Sequence, residues 1–92
     1  MLEGTIEKVI VGNNLPIALY KVGDQIYATT NICTHAQCEL DHNHAIYGDV
    51  VECTCHGSRF DIKSGAVILP PAVDPLKTYP VTVEEEDVVV EV

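Results

Sequence analysis

The sequence predicts an all-β fold, and three observations carry that prediction. No stretch holds a sustained helical period of apolar residues. The apolar positions fall instead in short runs rich in valine, isoleucine and threonine, the residues that suit a pleated, half-buried strand. Between those runs lie clusters of glycine, asparagine and aspartate, which favour turns.

Taken in order, residues 5–11 and 17–22 read as strands separated by Gly12-Asn13-Asn14. Gly23-Asp24 turns the chain into residues 25–29, a hairpin partner. Residues 49–52 and 58–62 read as a further pair, followed by a turn at Lys63-Ser64-Gly65. Leu69-Pro70-Pro71-Ala72-Val73-Asp74-Pro75 is stiff and extended, because three prolines fix φ. Tyr79, Val81 and Val83 alternate with Pro80 and Thr82, the period of a half-buried strand, and Pro80 assigns it to an edge or a strand start. Residues 84–87 form an acidic turn, and 88–92 return as the last strand.

Ninety-two residues make one domain, 1–92. A chain of this length hides about 60–65% of its unfolded surface, so it gains from a staple such as a bound metal centre. Five Lys and Arg against 14 Asp and Glu give a net charge of −9. That excludes a nucleic-acid partner, whose phosphates demand a basic face, and docking on an anionic membrane. It suits solubility and would steer the chain towards a basic partner. The opening Met1-Leu2-Glu3-Gly4 lacks the basic and apolar stretches of a signal peptide, and no run nears the roughly 20 apolar residues of a membrane span. The expectation is a cytoplasmic protein.

The chemistry concentrates in Cys33-Thr34-His35 and Cys53-Thr54-Cys55-His56. Written out, the pattern is C-x-H-x17-C-x2-H, with residues 36–52 between the halves. Each half offers a thiolate and an imidazole, a donor set that suits either tetrahedral zinc or an iron–sulfur cluster of mixed ligation. Four cysteines would fit a disulfide scaffold by count, but their placement beside histidines fits a metal site better. Zinc motifs usually pair like ligands at knuckle spacing, whereas each half here is mixed and C-x-H is unusually tight. A zinc-stabilised binding module remains the alternative on donor chemistry alone. Two thiolates and two neutral imidazoles leave an oxidised [2Fe-2S] cluster without net charge. Potentials then rise from about −400 mV to between roughly −150 and +300 mV.

The spacing resembles that of the Rieske proteins, in which two cysteines hold one iron of a [2Fe-2S] cluster and two histidines the other. The resemblance implies a small antiparallel β-sandwich with a cluster-binding subdomain at about residues 31–70. Cys33 and Cys53 would bind the buried iron and His35 and His56 the outer one, with one cluster per chain. Cys38 and Cys55 match the offsets of a cysteine pair that is disulfide-bonded in the Rieske subunits of quinol-oxidising complexes, so the resemblance also implies that bond. It would close a loop of about 17 residues, for which chain entropy suggests roughly 3 kcal/mol.

Cys53-Thr54-Cys55-His56-Gly57-Ser58-Arg59-Phe60-Asp61 is similar to the second Rieske box. Gly57 is expected to allow tight backbone approach. Ser58 matches a serine that hydrogen-bonds a bridging sulfide in high-potential members, and Phe60 replaces a tyrosine that bonds a ligand sulfur there. Such bonds raise the potential, so one kept and one lost implies an intermediate value. Pro70 and its neighbours sit where these proteins carry a proline loop over the cluster.

The whole length, with Val50-Val51-Glu52-Cys53-Thr54 and Pro75-Leu76-Lys77-Thr78-Tyr79-Pro80-Val81, looks like the small Rieske ferredoxins of bacterial ring-hydroxylating dioxygenase systems. Those take electrons from a flavin-dependent NAD(P)H reductase and pass them to a terminal Rieske oxygenase. The resemblance therefore implies an electron carrier and not an enzyme in its own right. The Cys38/Cys55 pair departs from that branch. A high-potential carrier in a respiratory or nitrogen-oxide reductase system is the alternative it raises. His42 and His44 read as solvated residues of the polar loop Asp41-His42-Asn43-His44, and Arg59 and Lys63 as surface charges that could frame a docking face.

Overall fold

A computed structural model describes residues 3–34, 38–70, 72–85 and 87–91. Ten strands are present among them: β1 (Ile6–Val11), β2 (Leu15–Val22), β3 (Gln25–Thr30), β4 (His44–Tyr47), β5 (Val50–Cys53), β6 (Ser58–Asp61), β7 (Val67–Leu69), β8 (Thr78–Tyr79), β9 (Val81–Glu84) and β10 (Asp87–Val90). They build three antiparallel sheets, β1-β2-β3-β8, β4-β5-β6-β7 and the hairpin β9-β10. The described residues contain no helix, and the all-β reading holds.

β2 decides how the layers stack. Side chains alternate across a strand, yet Ile17, Ala18, Leu19 and Tyr20 are all buried. Ala18 and Tyr20 join a core with Cys33, Leu40, Val51, Cys53, Phe60, Ile62, Ala72 and Leu76, which belongs to the second sheet and its loops. Ile17 and Leu19 join Ala28 and Tyr79 on the opposite face, against Val81 and Val90 of the terminal hairpin. The first sheet is thus covered on both sides, which explains an unbroken apolar run where a single buried face would alternate. Thr29 Oγ1 donates to the Thr30 carbonyl at 2.8 Å, so the buried Tyr20 hydroxyl donates to Thr29 Oγ1, also at 2.8 Å. Burial raises the Tyr20 hydroxyl well above its ordinary pKa, and the Thr29 bond opposes this only in part.

Two sequence expectations change. The strand expected through Tyr79–Val83 is broken at Pro80, which has no N–H for a ladder and marks the passage from β8 to β9. Its carbonyl instead accepts from the Glu91 N–H at 3.0 Å. The stretch read as stiff and extended from Leu69 begins inside the short strand β7, paired with β6, which is itself extended backbone. His44 is not a solvated loop residue. It opens β4, sits half-buried opposite Cys53, and its Nδ1 lies 2.7 Å from the Leu40 carbonyl. No helix among the described residues is long and apolar enough to cross a membrane.

Candidate metal centre

The first motif lies on a hairpin whose base is clamped by Asn31. This buried side chain donates from Nδ2 to Asp41 Oδ1 at 2.8 Å and accepts the Asp41 N–H at 3.0 Å. Its backbone N–H donates to the Pro16 carbonyl, and its own carbonyl accepts from Leu40. Above the clamp, Ile32 bridges Glu39 and the Cys33 N–H donates to the Cys38 carbonyl at 2.8 Å. His35, the other donor of this motif, lies outside the described residues.

The second motif is the turn between β5 and β6, where Cys53 faces Ser58 across the ladder. The Gly57 N–H closes that turn on the Cys53 carbonyl at 2.9 Å. Gly57 has φ +85, and an added Cβ would meet no atom of the described residues within 4 Å. Left-handed backbone by itself requires glycine at this position. A close backbone approach is found at Gly65, where a Cβ would collide with the Leu76 carbonyl; the Gly65 N–H itself donates to the Asp61 carbonyl. The Gly65 carbonyl accepts the Leu76 N–H at 2.8 Å.

A disulfide between Cys38 and Cys55 joins the two hairpins, with Cα atoms 6.7 Å apart. The segment between them adds polar ties: Asn43 accepts the Thr54 N–H on its carbonyl and donates from Nδ2 to the Glu39 carbonyl. The proline loop is bound to both hairpins. Thr34 Oγ1 donates to the Asp74 carbonyl at 2.7 Å, and the Ala72 N–H donates to Ser58 Oγ at 3.0 Å. Pro70 is exposed at the start of that loop, Val73 at its tip is 86% exposed, and Ala72 and Leu76 are its buried anchors.

Cys33 and Cys53 are the free cysteines, both buried, each 1% exposed. Burial pushes the Cys53 thiol up, and contact with the Cys33 thiol pushes it further. The backbone N–H groups of Cys55 and His56 bond the Cys53 sulfur and pull the other way. A buried thiol pair with amide donors aimed at a sulfur suits thiolates that share a cation or a cluster. His56 is exposed on the same turn. Among the described residues this donor chemistry fits two sulfur ligands inside and imidazole ligation outside.

Phe60 is fully buried opposite Val51 and acts as core packing. Arg59 bonds Glu52 at 2.8 Å and lies 4.9 Å from the Tyr47 ring centroid, while Lys63 lies 6.0 Å from that of Tyr27. Both are engaged within the chain. Asn31, Thr34 and Asn43 went unread in the sequence, because a clamping asparagine looks no different from the turn residues Asn13 and Asn14.

A family model described as the Rieske [2Fe-2S] domain matches residues 1–80. The chain belongs to the Rieske [2Fe-2S] family. Among relatives, the ferredoxin CarAc of Metapseudomonas resinovorans is 40% identical over 90 residues, covering 98% of this chain and 83% of its own. The ferredoxin component of the naphthalene 1,2-dioxygenase system of Pseudomonas putida is 36% identical over 91 residues, 99% of this chain and 86% of its own. A solved complex of reduced oxygenase and oxidized ferredoxin in carbazole 1,9a-dioxygenase contains a chain with TM-score 0.91 and 40% identity, covering 99% of this chain and 92% of that one. The cyanobacterial plasma membrane Rieske protein of Synechocystis PCC 6803 has TM-score 0.73 at 25% identity, covering 95% and 86%. The Rieske fold expected from the sequence, and its likeness to dioxygenase ferredoxins, are thereby shown.

Proposed function

We propose that Cys33, His35, Cys53 and His56 hold one Rieske [2Fe-2S] cluster, and that the chain carries single electrons from a flavin-dependent NAD(P)H reductase to a terminal Rieske oxygenase. The observation that carries this reading is the buried Cys33–Cys53 thiol pair, set between two hairpins that one disulfide joins. When bound, such a cluster supplies a centre that accepts and releases one electron at a time.

The chain's own residues then do three things. Cys33 and Cys53 keep the sulfur side in the core, away from water. The N–H groups of Cys55 and His56 favour the charged form of Cys53 as a ligand. The turn exposes His56, which gives an edge through which a docked partner can reach the centre. We read residues 1–92 as one domain, with its cluster-binding subdomain at about 31–70. We place the chain in the cytoplasm, a reading that rests on its relatives in dioxygenase systems.

The test is anaerobic. The chain is reduced with NADH and a flavin reductase, then mixed with an oxidised terminal oxygenase while absorbance is followed. Reduction followed by transfer is expected, at a potential near −150 mV. A potential above about +100 mV with no transfer would move the chain to the high-potential class, the reading that the Cys38–Cys55 bond favours.

A further inference from the structure

The two ligand motifs are built unequally. Cys53 ends a strand of the four-stranded second sheet, where β5 pairs with β4 on one side and β6 on the other. Cys33 belongs to no sheet. Among the described residues its hairpin holds two backbone rungs, the Cys33 N–H to the Cys38 carbonyl at 2.8 Å and the Leu40 N–H to the Asn31 carbonyl at 2.7 Å. A two-stranded ribbon this short does not hold its own place. Asn31 supplies what the ladder lacks. Its carbonyl accepts the Leu40 N–H, and its side-chain Oδ1 accepts the next N–H, that of Asp41, at 3.0 Å. Nδ2 then donates to Asp41 Oδ1 at 2.8 Å.

The same residue fixes the hairpin to the body of the fold. Its N–H donates to the Pro16 carbonyl of β2 at 3.1 Å, while the N–H of Thr30, just before it, donates to the Lys77 carbonyl at 2.8 Å. Asn31 thus uses its N–H, C=O, Oδ1 and Nδ2, at 0% exposure, to join β2 to both arms of the hairpin. The amide can face only one way, because the Asp41 N–H needs an acceptor and the Asp41 carboxylate a donor. Of the side chains with this shape, aspartate lacks the donor and leucine lacks both groups. Leu40, beside the clamp, is fully buried in the core that also holds Cys33 and Cys53. A shift at Asn31 therefore moves Cys33, two residues on, against a Cys53 that its own sheet keeps still.

We propose that Asn31 is a positioning residue for the cluster. It sets the depth and tilt at which Cys33 meets Cys53, and it acts through the hairpin backbone and not as a ligand. The inference rests on the proposed ligand role of Cys33. The disulfide does not replace this tie: it joins the two hairpins through Cys38, on the return arm, and leaves the seat of the hairpin on β2 to Asn31. Loss of a residue that orients a metal ligand commonly costs about 10–100-fold in how tightly the centre is held. The planar amide gives the role a signature, since only a matched donor and acceptor across positions 31 and 41 can restore it.

The experiment compares the loaded full-length chain with Asn31→Leu, which keeps shape and charge but loses both bonds, and with the exchange Asn31→Asp/Asp41→Asn, which rebuilds a donor–acceptor pair with the roles reversed. Each is reduced anaerobically. The electron-paramagnetic spectrum and midpoint potential are recorded, and loss of visible absorbance to an iron chelator is timed under folding conditions. Asn31→Leu is expected to alter the spectrum, shift the potential and release iron about 10–100-fold faster. The exchange variant should return the spectrum and the release rate towards those of the wild type. A lower urea midpoint with unchanged spectrum, potential and release overturns the proposal, because Asn31 then serves stability alone. An exchange variant no better than Asn31→Leu also overturns it. If Asn31→Leu does not fold, Asn31→Ser, which can keep one of the two bonds, takes its place with the same readouts. The ligand reading is judged on the wild type: absence of a mixed-ligation signature there sinks both readings, whereas a wild-type signature with indifferent variants sinks the positioning role alone.

Discussion

Ser58 and Ala72 are joined by a buried hydrogen bond of 3.0 Å, the Ala72 N–H donating to Ser58 Oγ across 14 positions of sequence. The bond fixes the proline loop to the strand that leaves the second ligand turn. Ser58→Ala would leave the Ala72 N–H without its acceptor in a buried place, at a cost of about 1–3 kcal/mol. A lower denaturation midpoint is expected, and voltammetry should also show a lower potential from the lost hydroxyl. A variant as stable as the wild type would show that water replaces the serine.

Removing the disulfide tests its role as a staple. The Cys38→Ser/Cys55→Ser pair opens a closed loop with sequence separation 17, for which the chain-entropy account gives about 3 kcal/mol. The loaded double variant should lose its visible absorbance faster on warming. Equal lifetimes would assign the hairpin junction to Asn31, Asn43 and Thr34.

The two turn glycines should respond unequally. Gly57→Ala meets left-handed backbone alone, about 1–2 kcal/mol. Gly65→Ala meets both φ +78 and the Leu76 carbonyl, so something must shift and a larger loss of stability is expected. Urea midpoints of the two variants decide the order, and a smaller loss at Gly65 would contradict the packing described.

His56→Ser removes one proposed imidazole donor from the exposed turn. The visible and electron-paramagnetic signature of mixed ligation should disappear from the purified variant. An intact spectrum would take His56 out of the ligand set.

Asp41 gives a pH prediction. Burial pushes its carboxyl up, but the Asn31 amide and nearby His42 outweigh that and hold it below its ordinary 3.8. A carboxyl depressed on folding contributes stability that is present above the unfolded value and lost as pH falls through the folded one. The stability gap between wild type and Asp41→Asn should therefore be full at pH 5 and above and shrink below about pH 4. A gap that stays constant to pH 3 would show that the Asn31 clamp does not depend on the charge.

The two ligand boxes were legible because they are local: residue type and spacing state the donor chemistry before any folding is considered. The strand content was legible for the same reason, since Ile17–Tyr20 carries a strand's composition in its own few residues. His44 was misread because its polarity says nothing of the partner opposite it, and that partner is Cys53. Gly57 and Gly65 look alike in sequence, and only one of them faces a carbonyl from another segment.

By itself, then, the sequence determined an all-β chain with a thiolate–imidazole donor set, because strand propensity and ligand chemistry belong to single residues and near neighbours. Tertiary structure decided which face of β2 meets which layer, that Ser58 holds Ala72, and that Cys53 lies against the Cys38–Cys55 bond. Those relations join residues far apart along the chain. They exist only once loop-closure entropy has been overcome by burial of the core they share.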